Sequence, residues 1–504
     1  MKILPQLSNI GMRNLISTLM ILLYSSISLG TTYSTSDSIK YITEIRATIS
    51  SGQNTPFWLM NNLQGLGSPL KNNGFVRGAV FKDLSKTKRF SWGGGIDIVG
   101  GWRLVAPFSI HQLYIEAKYR SLGAMLGSKE IWGEFNNPKL SSGNLLYSGN
   151  AMPIPQFRVG IFDYSKVWGT NGWFSVKGYL SFGMFTDSKW QKSWVSKKFN
   201  RTKDVLYHSK GLWLRGGNTD KFPLTGELGI EMATQFGGTA YLVSENEVIK
   251  MPTKLKDWLR AIFPSKGSSS TVWGERVNVQ GNMVGSYYIG LSWLPKSNWS
   301  IKTYFEHYFE DHSQMTFEYG WKDGLWGIEV ELPKNRFIST IVYEYLATKD
   351  QTGAVFNNSD NKVPEQISGR DSYYNNYLYV GWQHWGMGIG NPLIVSPIYN
   401  TDHRLNFKAT RILGHHVAFA GNPTEDLSYR VMLSYTRSWG TYIRPHSEVL
   451  SNFNGIIEVS WTPKKLKGWY TCIGAACDTG KLLGKSIGGV FSIGYQGYFN
   501  IKSK

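Results

Sequence analysis

Cysteine is nearly absent from this 504-residue chain, with Cys472 and Cys477 the only two. That excludes a multi-disulfide scaffold, and the pair has no zinc-ligand spacing. On one straight strand their odd separation places them on opposite faces, so a bridge needs a turn between them. Two small buried residues are the expected arrangement. Proline is scarce, 18 against 55 glycines, which fits strands and turns better than disorder. A mean hydropathy of −0.26 excludes a helical-bundle membrane protein. Acid is also short: 35 Asp and Glu face 54 Lys and Arg, a net charge of +19.

One apolar run stands out, Leu15–Leu29, behind Lys2 and Arg13 and ending in Ser28-Leu29-Gly30. Those features predict a signal peptide over residues 1–30. Without it the charge is +17, which favours an anionic partner. The candidates are lipopolysaccharide phosphates and acidic polysaccharide, and export argues against nucleic acid.

What the chain has in abundance is short alternation. In Gln112–Tyr119, Leu113, Ile115, Ala117 and Tyr119 share one strand face. Gln112, Tyr114, Glu116 and Lys118 share the other. The pattern recurs in Asn73–Lys82, Phe90–Gly101, Ser286–Trp293, Trp299–Phe309, around Ile328–Leu332, Leu405–Ala409, Tyr429–Trp439, Gly455–Trp461, Trp469–Cys477 and Gly488–Tyr498. Pro295–Asn298 reads as a hairpin turn. An exported chain built this way predicts an all-β fold, a transmembrane antiparallel β-barrel with lipid outside and a wet polar lumen. Aromatics at 14% suit its interfacial girdles and equally suit sugar stacking.

Two segments break the rhythm and predict long extracellular loops, or elements folded into the barrel mouth, near 187–211 and 250–272. The first is basic and holds Trp190 and Trp194. In the second, Leu255, Trp258, Leu259 and Ile262 fall at helical spacing, a short amphipathic helix, with Ser265–Ser270 as a loop tip. No separate domain follows, so 31–504 is one barrel.

His307–His312 holds no metal motif, because His307 and Glu310 diverge on a strand. The adjacent His415 and His416 diverge likewise. A barrel hydrolase needs a Ser–His pair within hydrogen-bond reach on the wall. The stronger lead is the aromatic crowd Tyr373, Tyr374, Tyr377, Tyr379, Trp382 and Trp385, followed by the glycine-rich 386–392. Its rings fit a girdle or a sugar site.

Ordered short motifs then carry a resemblance. They are Asn54-Thr55-Pro56-Phe57-Trp58-Leu59 with Gly65, Trp273-Gly274-Glu275, Asn278-Val279-Gln280-Gly281-Asn282, Glu310-Asp311-His312-Ser313 and Asp323-Gly324-Leu325-Trp326-Gly327. Tyr373-Tyr374-Asn375-Asn376, Gly381-Trp382, Gly390-Asn391-Pro392-Leu393 and His403-Arg404 complete the set. The chain resembles the Bacteroidetes branch of the Wzi-type capsule assembly proteins. The resemblance implies an outer-membrane barrel of about eighteen strands that binds capsular polysaccharide as a lectin, without a cofactor. Proteobacterial members carry an N-terminal helical bundle, and residues 31–54 show no helical pattern.

The expected function is therefore a lectin-like barrel that binds surface or capsular polysaccharide and helps assemble or attach it. A porin and a membrane hydrolase are the alternatives. Expected binding residues are Trp190, Trp194, Lys197, Lys198 and Arg201 in the basic loop, with Trp382, Trp385 and Arg404 by the aromatic cluster. Rings would stack on sugars and cations would pair with uronate or phosphate. Expected partners are capsular or exopolysaccharide, lipopolysaccharide and outer-membrane lipid, and the barrel-insertion machinery. No metal is expected, and a monomer is.

Overall fold

The computed structural model describes residues 38–263, 281–353 (except 311, 316, 318, 319 and 334) and 371–500. The expected signal peptide, Ser265–Ser270, Trp273–Glu275, Asn278–Gln280 and residues 501–504 lie outside them. Eighteen antiparallel strands form one sheet. The first nine are β1 (Ser38–Gly52), β2 (Asn73–Lys82), β3 (Phe90–Trp102), β4 (Phe108–Tyr119), β5 (Leu122–Ser128), β6 (Gln156–Lys166), β7 (Phe174–Met184), β8 (Leu206–Gly216) and β9 (Leu224–Phe236). The second nine are β10 (Asn282–Trp293), β11 (Ser300–Phe309), β12 (Gly324–Glu331), β13 (Thr340–Ala347), β14 (Ile412–Gly421), β15 (Leu427–Gly440), β16 (Pro445–Trp461), β17 (Trp469–Gly480) and β18 (Ser486–Asn500). Each pairs with its sequence neighbour, and β1 pairs with β18 from Ser38↔Asn500 to Gly52↔Ser486. The sheet is thus closed and has no edge. Among the described residues before Asn54, Ser38–Gly52 is strand.

The alternation orients the wall as expected. On β4, Leu113 and Ile115 face outward, 52% and 67% exposed, while Gln112, Tyr114 and Glu116 are buried inside. Exposed rings ring both ends: Trp102, Phe108, Phe157, Trp326 and Tyr435 at one, Phe90, Tyr119, Phe174, Phe222, Trp461 and Phe499 at the other. These are the girdles of a lipid-spanning barrel. Cys472 and Cys477 sit on the single strand β17 as free thiols. Cys477 is exposed on the lipid side, which corrects the expectation that both are buried.

The two ends differ. Connections such as 120–121, 294–299 and 332–339 are short, and both strand ends near the termini lie with them. The opposite end carries 53–72, 129–155, 185–205, 237–281 and 348–411. In outer-membrane barrels the short turns are periplasmic and the long loops extracellular. The expected loop 187–211 ends earlier, since β8 begins at Leu206. The amphipathic helix forms over Leu255–Ile262.

Eighteen strands enclose more space than their own side chains fill. Segments 53–72, 129–155 and 371–411 fold back into that space. Leu145, Leu146, Tyr374, Ile394 and Phe407 are completely enclosed there. The expected wet lumen is packed where these segments enter it, while the inward Glu116, Arg158 and Lys177 line a cavity of about 200 Å³. Leu405–Ala409 is not a strand: its alternation buries Leu405, Phe407 and Ala409 within this plug. Its backbone is satisfied by a side chain instead. Phe407 N–H donates to Asn375 Oδ1 at 2.8 Å, and Asn375 Nδ2 donates to Phe407 O at 2.9 Å.

Candidate functional site

The plug is fastened by carboxylates that alternation turns inward. Glu306 on β11 accepts Leu145 N–H at 2.7 Å, Leu146 N–H at 3.0 Å and Ser286 Oγ–H at 2.7 Å. Glu344 on β13 accepts Ser141 Oγ–H at 2.5 Å, Ser142 N–H at 2.7 Å and Tyr304 O–H at 2.6 Å. Glu329 takes Asn137 Nδ2 at 2.7 Å, and Asp478 takes Phe57 N–H at 2.8 Å. Buried amides need such partners, and a carboxylate serves two or three at once.

The plug has latches of its own. His384 Nδ1 faces the Met152 carbonyl at 3.0 Å, and its Nε2 faces Thr186 N–H at 3.2 Å. A carbonyl only accepts and an amide only donates, so Nδ1 carries the proton and the ring is neutral. Burial lowers its pKa, against the opposing charge of Asp187. Burial likewise holds the Tyr373 and Tyr374 phenols well above their usual value.

At the mouth, two loops far apart in sequence meet. The helix Ser188–Trp194 places Trp190 and Trp194 one turn apart, and their rings stack at 5.0 Å and 16°. Trp194 stacks in turn on His403 at 4.8 Å and 16°. Trp385 leans on Trp190 at 6.1 Å. His403 Nδ1 donates to Trp194 O at 2.9 Å, and Ser196 N–H donates to His403 O at 3.2 Å. Both Trp385 and His403 adopt left-handed backbone, φ 56° and 59°, which only a well-held residue other than glycine sustains. His403 is exposed and caps the stack, although in the sequence only its neighbour Arg404 carries the charge expected of a binding residue.

Around this stack Lys197 and Lys198 are exposed. Arg201 lies over Tyr241 at 3.7 Å, within a small sheet of Arg201–Lys203, Thr239–Leu242 and Glu247–Lys250. Arg404 lies over Phe199 at 5.3 Å. Burial lowers its pKa, and the neighbouring Arg444 charge adds to this against Asp402. The structure therefore gathers Trp190, Trp194 and Trp385, with Lys197, Lys198, Arg201 and Arg404 on the same loops. Trp382 does not join them. It is fully enclosed, with Nε1 donating to Leu146 O at 2.9 Å, and offers no face to a sugar. Tyr373, Tyr374 and Tyr379 are plug core as well, neither girdle nor site.

Electrostatics sharpen this surface. Among the described residues, twelve Asp and Glu are buried but Lys82 alone of Lys and Arg. The exposed charge is therefore more positive than the composition states. Three other constellations are closed. Asp97, His111 and Glu130 bring ligand-type atoms within 4.8 Å of one another, after a β-bulge turns both His111 and Gln112 inward. Arg77 Nη2 sits among them, 2.6 Å from Asp97 and 3.1 Å from Glu130, making an ion-pair network. Ser434 Oγ meets His416 Nδ1 at 2.7 Å, so the distance a hydrolase requires does occur. His416 Nε2 donates to the plug carbonyl of Leu140 at 2.7 Å, and Ser434, His416 and Leu140 are all sealed. Gly484-Lys485-Ser486-Ile487-Gly488 matches a nucleophile-elbow pattern but enters antiparallel β18, not a helix. Ser486 Oγ there accepts Asn54 N–H at 3.1 Å.

No family model matches the chain, and no curated protein matches it. Among solved structures it is similar to Wzi, an outer-membrane protein involved in group 1 capsule assembly in Escherichia coli, described as a carbohydrate-binding β-barrel. The TM-score is 0.55 at 12% identity, over 92% of this chain and 85% of that one. Pseudomonas aeruginosa OccK5 aligns over 92% and 98% at 8% identity and TM-score 0.47, and OprD over 94% and 99% at 8% and 0.44. At such identities the likeness is one of fold: this chain has the architecture of an outer-membrane β-barrel of the kind that Wzi forms.

Proposed function

We propose that this chain is an outer-membrane lectin that holds surface or capsular polysaccharide at its extracellular mouth and so helps assemble or attach it. The observation that carries this reading is the pairing of a lumen filled by a clamped plug with a mouth that presents stacked rings and free cations. A channel needs a continuous path, and segments 53–72, 129–155 and 371–411 pack into the space where it would run. A lectin needs aromatic faces and hydrogen-bonding cations that solvent reaches. His403 and Trp385 supply the rings, and Lys197 and Lys198 supply exposed ammonium groups. The fold likeness to a carbohydrate-binding barrel of capsule assembly supports the same reading.

The test is binding of detergent-purified protein to the host's own surface polysaccharide across a salt series. Saturable binding that weakens with salt, and drops in H403A and K197Q/K198Q, is expected. Absence of binding at low salt by folded protein overturns the reading. Steady ion conductance of the native chain in planar bilayers would move the assignment to a porin.

A further inference from the structure

On β15 the odd-numbered side chains face away from the lumen, while Ser434, Thr436 and Ser438 are buried inside it. Read toward the long-loop end, the outer column runs Val431, Leu433, Tyr435, Arg437, Trp439. Apolar side chains give way to a phenol and then to a guanidinium, the order met on passing from hydrocarbon to headgroups. Arg437 does not stand alone there. Its Cζ lies 5.2 Å from the Trp439 ring, and Lys349 Nζ lies 4.7 Å from the same ring. Arg411 lies over Tyr442 at 3.7 Å, and its Nε donates to Lys349 O at 3.0 Å. Trp439 N–H closes the cluster on Arg411 O at 2.9 Å. Arg444, exposed at the tip of the 441–444 turn, follows Ile443, which is 70% exposed.

None of these four cations forms an ion pair among the described residues. Glu448 on the adjoining strand is taken by Lys481 at 2.7 Å, and Asp350 makes no ion pair with its neighbour Lys349. Four cations with no ion pair among the described residues, three of them set on aromatic rings, are not a stabilising feature by themselves; like charges held together repel. They call for a polyanion. The place selects which one: the cluster sits on the outer wall, continuous with the lipid-facing surface below Tyr435.

We propose that Lys349, Arg411, Arg437 and Arg444, framed by Trp439 and Tyr442, bind the phosphorylated headgroup of an outer-leaflet glycolipid against the barrel wall. Arginines supply paired donors to phosphate oxygens, and Ile443 supplies an apolar contact beside them. The patch faces the outer wall and meets the mouth at one point, where Arg444 neighbours Arg404 of the proposed glycan site.

The test uses the full-length chain in non-ionic detergent, incubated with bisphosphorylated lipid A and analysed for retained lipid by native mass spectrometry. The variant R437Q/R444Q removes the two exposed cations and leaves Lys349 and Arg411 on their rings. The control K296Q/K465Q makes the same charge change at the opposite rim. Each cation near an anionic lipid surface carries roughly a fivefold factor, so about a twenty-five-fold loss of retention is expected for R437Q/R444Q and none for the control. Dephosphorylated lipid A should bind wild type and variant alike and weakly, and millimolar inorganic phosphate should not displace the lipid. Equal retention by wild type and R437Q/R444Q, with both running as folded barrels on unheated gels, overturns the proposal. So does displacement by free phosphate, which would make the patch a simple anion site, or equal capture of dephosphorylated lipid.

Discussion

Removing Glu306 and Glu344 together should open the barrel. The two carboxylates hold four plug donors: the amides of Leu145, Leu146 and Ser142, and the Ser141 hydroxyl. A buried donor stripped of its partner costs about 1–3 kcal/mol. Four of them place the loss at roughly 4–12 kcal/mol. Water entering the vacated space restores part of it, so the lower end, about 4 kcal/mol, is the working figure. That is roughly a thousandfold in the ratio of docked to undocked plug. The strand ladder contains neither side chain and should survive. The assay is planar-bilayer conductance of E306A/E344A beside wild type, with limited proteolysis across residues 129–155. Wild type should be silent and resistant; the double variant should show discrete openings and cleavage in that segment. A folded double variant that stays silent and resistant would refute the clamp.

Other outcomes follow from single contacts. D478N weakens the acceptor of Phe57 N–H and should loosen segment 53–72, read as faster amide exchange at Phe57–Met60 with β17 unchanged. Burial lowers the His384 pKa, so the undocked plug binds a proton that the docked one resists. Docking is therefore fully present above the free-histidine value and weakens as pH falls below about 6.5. Proteolysis of the plug should accelerate at pH 5.5 relative to 7.5, and H384Q should flatten that dependence. Cys472 and Cys477 should titrate as two free thiols in the unfolded chain, with no change in mobility on reduction.

The wall was legible because its physics is local. A strand with lipid on one side and protein on the other must alternate, and Gln112–Tyr119 or Tyr429–Trp439 declare it without help from the rest of the chain. The plug is not local. Leu145 and Leu146 lie in a segment with no period, and their partner Glu306 stands 160 residues away. Leu405–Ala409 shows how this misleads: burial of one side among irregular neighbours produces the same alternation as a strand. Trp382 and Trp385 are three residues apart, yet one is core and the other at the mouth. Only the turn between them, with Trp385 at left-handed φ, separates their fates. The inward carboxylates were visible as a charged strand face. What the alternation could not say is whether that face meets water or backbone amides.

Two anionic partners on two surfaces make a separable prediction. The mouth cations Lys197 and Lys198 and the wall cations Arg437 and Arg444 lie on different loops, and surface charges farther apart than about 10 Å are screened from each other at moderate salt. Arg404 complicates this, since its guanidinium feels Arg444. K197Q/K198Q should therefore weaken glycan binding and leave lipid A retention intact. R437Q/R444Q should abolish most lipid retention and reduce glycan binding only at low salt, where the Arg444 field reaches Arg404. Raising the salt should erase that second effect and leave the first. If R437Q/R444Q lowers glycan binding equally at all salt concentrations, the two surfaces are one site, and the wall patch belongs to the lectin.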